Sequence, residues 1–95
     1  MDRIGLSFKS PLSPDEIRTQ YVQPLRAAVE GARAGIYANY LRETDADADA
    51  PAEHLLIFHV REFQAGLHLL RMTMQELGPP PGLLLHNLDA SEPLY

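Results

Sequence analysis

The 95 residues predict an α+β fold, a four-stranded antiparallel sheet with two helices on one face. Three observations predict it. Strand-like patterning occurs at four places, helical periodicity fills two long stretches between them, and turn or cap chemistry stands at the junctions.

The first strand covers residues 3–9, where Ile4, Leu6 and Phe8 alternate with Arg3, Gly5, Ser7 and Lys9 in the period of a half-buried strand. The pattern breaks at Ser10-Pro11-Leu12-Ser13-Pro14. Ser13 and Glu16 have capping-box spacing, and Pro14 at the first helical position needs no N–H there. A helix is therefore expected over 14–34, with Ile17, Tyr21, Leu25, Ala28, Val29 and Ala32 on its apolar face and Gly35 as its left-handed cap. Pro24 lies inside that helix. It removes a ladder bond and crowds the carbonyl of Gln20, so a kink is expected at 20–24.

Ile36 to Glu43 is rich in β-branched and aromatic residues, with Ile36, Ala38 and Tyr40 alternating against Tyr37, Asn39 and Leu41. His54 to Val60 is almost continuously apolar. These are the second and third strands, joined by a loop over 43–53. Residues 61–77 return to helical periodicity, with Phe63, Leu67, Leu70, Met74 and Leu77 in one stripe and Gly78 at the end. Pro79-Pro80-Pro81 predicts a stiff extended connector, and 82–88 a fourth strand. The tail, 89–95, is expected to fray. The order βαββαβ, with right-handed crossovers, places both helices on one side of the sheet, which is the ferredoxin-like sandwich. The whole of 1–95 reads as a single domain.

Charge divides the chain sharply. Glu43, Asp45, Asp47, Asp49 and Glu53 lie in one stretch, and the other eight acids balance the eight Lys plus Arg, so the net charge of −5 belongs to the loop. Clustered cations are missing, and nucleic acid is not an expected partner. No apolar run approaches the roughly 20 residues of a bilayer span, and the first residues lack the apolar stretch of a secretion signal. A cytoplasmic location without membrane attachment is expected. With no cysteine, disulfides, thiolate metal sites and thiol nucleophiles are excluded. The Ala, Arg and Pro richness is that of a high-GC bacterial source.

Motifs for chemistry are weak. Asp45-Ala-Asp47-Ala-Asp49 opens like a calcium loop, but Ala50 stands where that loop needs glycine and Leu56 where it needs a bidentate glutamate. Of four histidines, His59 and His86 fall on strands, and the expected fold puts the first strand between them, about 9–10 Å of backbone separation. His54 sits at a strand start and His68 on the polar face of a helix. Neither a metal nor a cofactor is expected, and Ser7, Ser10, Ser13 and Ser91 lack the context of an activated nucleophile.

The informative feature is the second face of the sheet. Whichever set of the third strand points away from the helices, Leu55, Ile57 and His59 or Leu56, Phe58 and Val60, apolar residues are left outward. Leu83 to Leu88 repeats this, and the second strand offers Tyr37 and Leu41. A monomer rarely exposes so continuous a patch. The expected function is thus a small non-catalytic interaction module, of the regulator, inhibitor or immunity type, rather than an enzyme. It would bind a basic protein, as homodimer or hetero-complex, through Glu43, Asp45, Asp47, Asp49 and Glu53 together with Tyr37, Leu41, Ile57 and His59. The alternative is a dimeric α+β barrel with a small-molecule pocket between two sheets, His59, His86 and a tyrosine acting as acid–base groups.

Overall fold

A computed structural model describes residues 1–44 and 50–89. In chain order the elements are β1 (Asp2–Ser10), α1 (Pro14–Ile17), a π-helical turn (Arg18–Val22), α2 (Gln23–Gly31), β2 (Gly35–Glu43), β3 (Ala52–Val60), α3 (Phe63–Leu77) and β4 (Leu84–Asn87). The class is α+β. The strands form one sheet in the order β2-β3-β1-β4, every neighbouring pair antiparallel, and helical segments follow the first and third strands.

Alternation along β1 and β3 decides where the core sits. Ile4 pairs with Phe58 and Leu6 with Leu56, and all four are inaccessible to solvent. Ile17, Val22, Leu25 and Val29 close over them from the first helical stretch, Leu70 and Met74 from α3, in one cluster. Burial of these side chains is the main driving force of the fold, at roughly 1.5–3 kcal/mol for each large aliphatic residue.

The first helical stretch begins as its sequence requires. Ser13 Oγ accepts from the Glu16 N–H at 3.2 Å, and Glu16 Oε1 accepts from the Ser13 N–H at 2.9 Å. The disturbance before Pro24 takes the form of a π turn, in which the Gln23 N–H bonds to the Arg18 carbonyl. An inserted residue of this kind widens the turn. It also shifts the apolar face, so the buried positions run Ile17, Val22, Leu25, Val29, with a gap of five across the π turn. Val22 replaces Tyr21 as the fully buried residue, and Tyr21 makes an edge contact with Phe8 instead, ring centres 5.2 Å apart.

The helix is shorter than the expected 14–34. It stops at Gly31, and Arg33 takes the left-handed conformation with φ 55°. The Arg33 N–H bonds to the Glu30 carbonyl at 3.1 Å and the Ala34 N–H to Val29 at 2.9 Å, a Schellman cap. Gly35 is therefore no cap. It opens β2 against β3 so closely that a Cβ there would lie 2.0 Å from the His59 carbonyl oxygen.

Other expected boundaries also move. Glu43 and Glu53 belong to paired strands, facing each other across β2 and β3, so the loop between is shorter than 43–53. Ala52 is buried and pairs with Ser10. The loop thus lies within 44–51, of which 45–49 lie outside the described residues. The second helix starts at Phe63 rather than 61, because the Glu62 carboxylate caps it by accepting from the Gln64 and Ala65 N–H groups. The proline run does not stay extended. Gly82, at φ 76°, turns the chain with the Leu83 N–H directed to the Pro80 carbonyl at 3.3 Å, and β4 starts only at Leu84. Asp89 does not fray: its carboxylate accepts from the Arg3 backbone N–H at 2.6 Å and from Arg3 Nε at 2.8 Å. Positions 90–95 of the tail lie outside the described residues.

Candidate functional site

Both helical layers pack on the Ile4–Leu6–Phe8 side, so the other side of the sheet carries Arg3, Gly5, Ser7 and Lys9 from β1 and Glu53, Leu55, Ile57 and His59 from β3. The choice that alternation leaves open in β3 is thereby made. Leu56, Phe58 and Val60 face the helices because they are completely buried, and Leu55, Ile57 and His59 are half-buried on the open side.

Edge strand β2 contributes differently from its simple alternation. The register slips between Tyr37 and Asn39, leaving Ala38 as an extra residue, and a bulge of this kind reverses the sides that later residues occupy. Tyr37 is consequently on the helix side, its ring 5.6 Å from Phe58, and is no part of the open face with Leu41. The Glu30 carboxylate accepts from the Tyr37 N–H at 3.3 Å and is itself held by Arg26 at 3.1 Å. Ile36, Asn39, Leu41 and Glu43 share register positions with the open side of β3. Leu84 on β4 pairs with Ser7 and His86 with Gly5, and Leu84 is 59% exposed.

The open face therefore has an apolar middle and unlike ends. Glu43 and Glu53 stand at one end as a like-charged cross-strand pair, with Lys9 on β1 in register with Glu53 on its other side. The loop with Asp45, Asp47 and Asp49 joins these two strands, and those three aspartates lie outside the described residues. His59 and Arg3 stand at the other end, and Arg3 is already engaged by Asp89. Hydrogen bonds from the Arg3 amide and guanidinium hold the Asp89 carboxyl below the usual carboxylate range.

Between the ends lies a groove of about 440 Å³, walled by Leu41, Leu55, Leu84 and Leu88. Ser7 Oγ and His86 Nε2 are 2.7 Å apart on its floor. Arg42, Glu43 and Glu53 form the rim. Gly5 beside the floor lets the Leu55 and Leu88 side chains close in over β1, since a Cβ there would meet their methyl groups at 3.0 and 3.3 Å. Sequence reading misses the Ser7–His86 pair, since 79 residues separate the two and only the β1–β4 register brings them together.

A second polar centre is closed to solvent on the helix side. His54, expected at a strand start, is fully buried between Phe8 and Tyr40. Its Nε2 is 3.0 Å from the Ser10 carbonyl, which can only accept, so Nε2 carries the proton and Nδ1 accepts from the Tyr40 hydroxyl at 2.7 Å. Burial pushes the Tyr40 hydroxyl above the ordinary tyrosine value, opposed by Arg42 and by Arg18, whose guanidinium carbon lies 5.4 Å from the ring centre. Both ring nitrogens are satisfied, which makes this a structural centre.

His59 and His86 lie on strands separated by β1. Among the described residues no group of three His, Asp or Glu side chains could hold a metal ion. No helix among them is long and apolar enough to cross a membrane. No protein-family model matches the chain, and no curated protein matches it in sequence.

Proposed function

We propose that this protein is a small non-catalytic interaction module that docks a second protein on its open sheet face. The observation that carries this reading is the row of apolar side chains that no helix among the described residues covers, with Ile36, Leu41 and Leu84 each about half exposed, at 48, 49 and 59%. A patch of this kind on so small a domain is costly in water and is characteristic of interfaces. The acidic end selects the partner: Glu43 and Glu53, with Asp45, Asp47 and Asp49 in the connecting loop, fit a protein with an apolar centre and a basic rim. A cytoplasmic, bacterial regulator, inhibitor or immunity-type protein fits this description. The strand order with helices after the first and third strands supports the finer fold reading, a ferredoxin-like sandwich.

A second reading has its own observation. The leucine-walled groove with a polar pair on its floor favours a dimeric barrel in which a second copy's sheet roofs a small-molecule pocket. Sedimentation of the purified protein and of a tagged complex separates the two. In the first reading the chain alone sediments as a monomer and co-purifies with one basic protein. In the second it sediments as a dimer. In both, Ile57→Lys disperses the assembly and leaves the monomer folded, because Ile57 faces away from the helix-packed core. A monomer that retains its partner after Ile57→Lys would rule out docking on this face.

A further inference from the structure

We infer that the groove over Ser7 and His86 is a binding site for a small, uncharged, largely apolar molecule bearing a carbonyl or phenol oxygen. The site shares the open face with the proposed docking surface but does not depend on it, since Ile57 is not among the groove's lining residues.

The chemistry follows from counting protons. In its neutral form the Ser7–His86 pair holds two hydrogens, one on the serine oxygen and one on the imidazole, and one of them is spent inside the 2.7 Å bond. If Ser7 donates to Nε2, the ring keeps a proton on Nδ1. If Nε2 donates, the Ser7 hydroxyl keeps its own. Either arrangement leaves one donor for an acceptor oxygen brought into the groove. Ser7 and His86 both line the groove, so the hydrogen left over is carried by a group on its floor.

The walls decide the rest of the ligand. Four leucines surround the polar pair, and about 440 Å³ accommodates a two-ring molecule. The rim offers an anion no net attraction, because Glu43 and Glu53 are met by Arg42 and by Lys9, in register with Glu53, and the whole chain carries −5. A carboxylate head would face the repulsion of that net charge, whereas a neutral oxygen takes the single donor at no electrostatic cost.

Prodan, an uncharged naphthalene with a carbonyl whose emission shifts to the blue in apolar surroundings, is the probe. It should bind saturably, one per chain, with amide chemical-shift changes centred on Gly5, Ser7, Leu55 and His86. Ser7→Ala combined with His86→Phe removes both hydrogens of the pair and should weaken binding about 3- to 10-fold, the size of one hydrogen bond. Either change alone leaves one donor in the groove and should act less, and Leu55→Asp should weaken binding about 10-fold or more. Naphthoate, the anionic analogue, should bind more weakly than prodan. Unchanged prodan affinity in the double variant Ser7→Ala/His86→Phe, naphthoate binding as tight as prodan, or the absence of saturable binding would overturn the assignment. Thermal melting of each variant confirms that the fold is intact, and loss of assembly in Ile57→Lys with prodan binding preserved separates this site from the docking surface.

Discussion

The two faces of the sheet are made from the same strands and nearly the same residue types, yet they behave as different materials. Along β3, Leu56 and Phe58 on one side are fully buried, and Leu55 and Ile57 on the other are only half covered by their neighbours in the sheet. The polar groups differ as well. His54 on the covered side has both nitrogens bonded inside the protein, and His86 on the open side pairs its Nε2 with Ser7 in the groove. Apolar character alone therefore does not mark a core. A core is the side that a second layer closes, and an equally apolar side without that layer is a surface awaiting one.

The comparison can be broken most severely from the covered side. Phe58→Ala removes the largest buried side chain beneath the helices and should lower stability by about 3–5 kcal/mol, measured by urea denaturation. Leu84→Ala on the open side should change it by about 0.5 kcal/mol or less. Comparable losses at the two positions would mean that the open face is covered within the monomer. Next in size, Tyr40→Phe leaves His54 Nδ1 buried without its donor and should cost about 1–3 kcal/mol in the same measurement, which would distinguish the closed histidine from the open one. His86→Phe takes the partner from Ser7 Oγ, which lines the groove, and should cost less, about 1 kcal/mol.

The smallest effect expected is at the edge of the open face, where Asp89 ties the end of β4 to Arg3. The Asp89 pKa is lowered by the Arg3 hydrogen bonds, so its contribution is fully present above the ordinary carboxylate range and is lost as pH falls through the depressed folded-state value. The protection of the Arg3 amide and of the Leu88 amide, whose N–H bonds to the Arg3 carbonyl at 3.0 Å, against exchange relative to an unstructured chain at the same pH should therefore fall on acidification. Asp89→Asn should show the lower protection already at neutral pH and lose this extra pH dependence. Equal exchange in the variant and the parent protein would show that the ion pair does not hold the strand end.

Local chemistry in the chain was enough to identify most elements. Ser13, Pro14 and Glu16 begin a helix by satisfying or dispensing with its free N–H groups, and the period of two in Ile4, Leu6 and Phe8 makes a one-sided strand, whatever surrounds them. The disturbance before Pro24 was legible for the same reason, since a missing N–H is a property of the residue. Its form was not: whether the helix kinks or takes up a π turn depends on which face must meet the sheet, and Val22 rather than Tyr21 fills that place. The bulge at Ala38, which sends Tyr37 to the helices, was likewise invisible, because register is settled between strands and not within one.

The candidate site divides along the same line. Composition alone located the acidic segment and the apolar excess of β3 and β4, because charge and hydrophobicity are sums over residues. Tertiary structure alone decided which half of β3 faces outward, that His54 is sealed by Tyr40 and Ser10, and that Ser7 meets His86. Each of these is a contact between residues far apart in the chain, and such contacts exist only once the packing of two layers has chosen a face and a register.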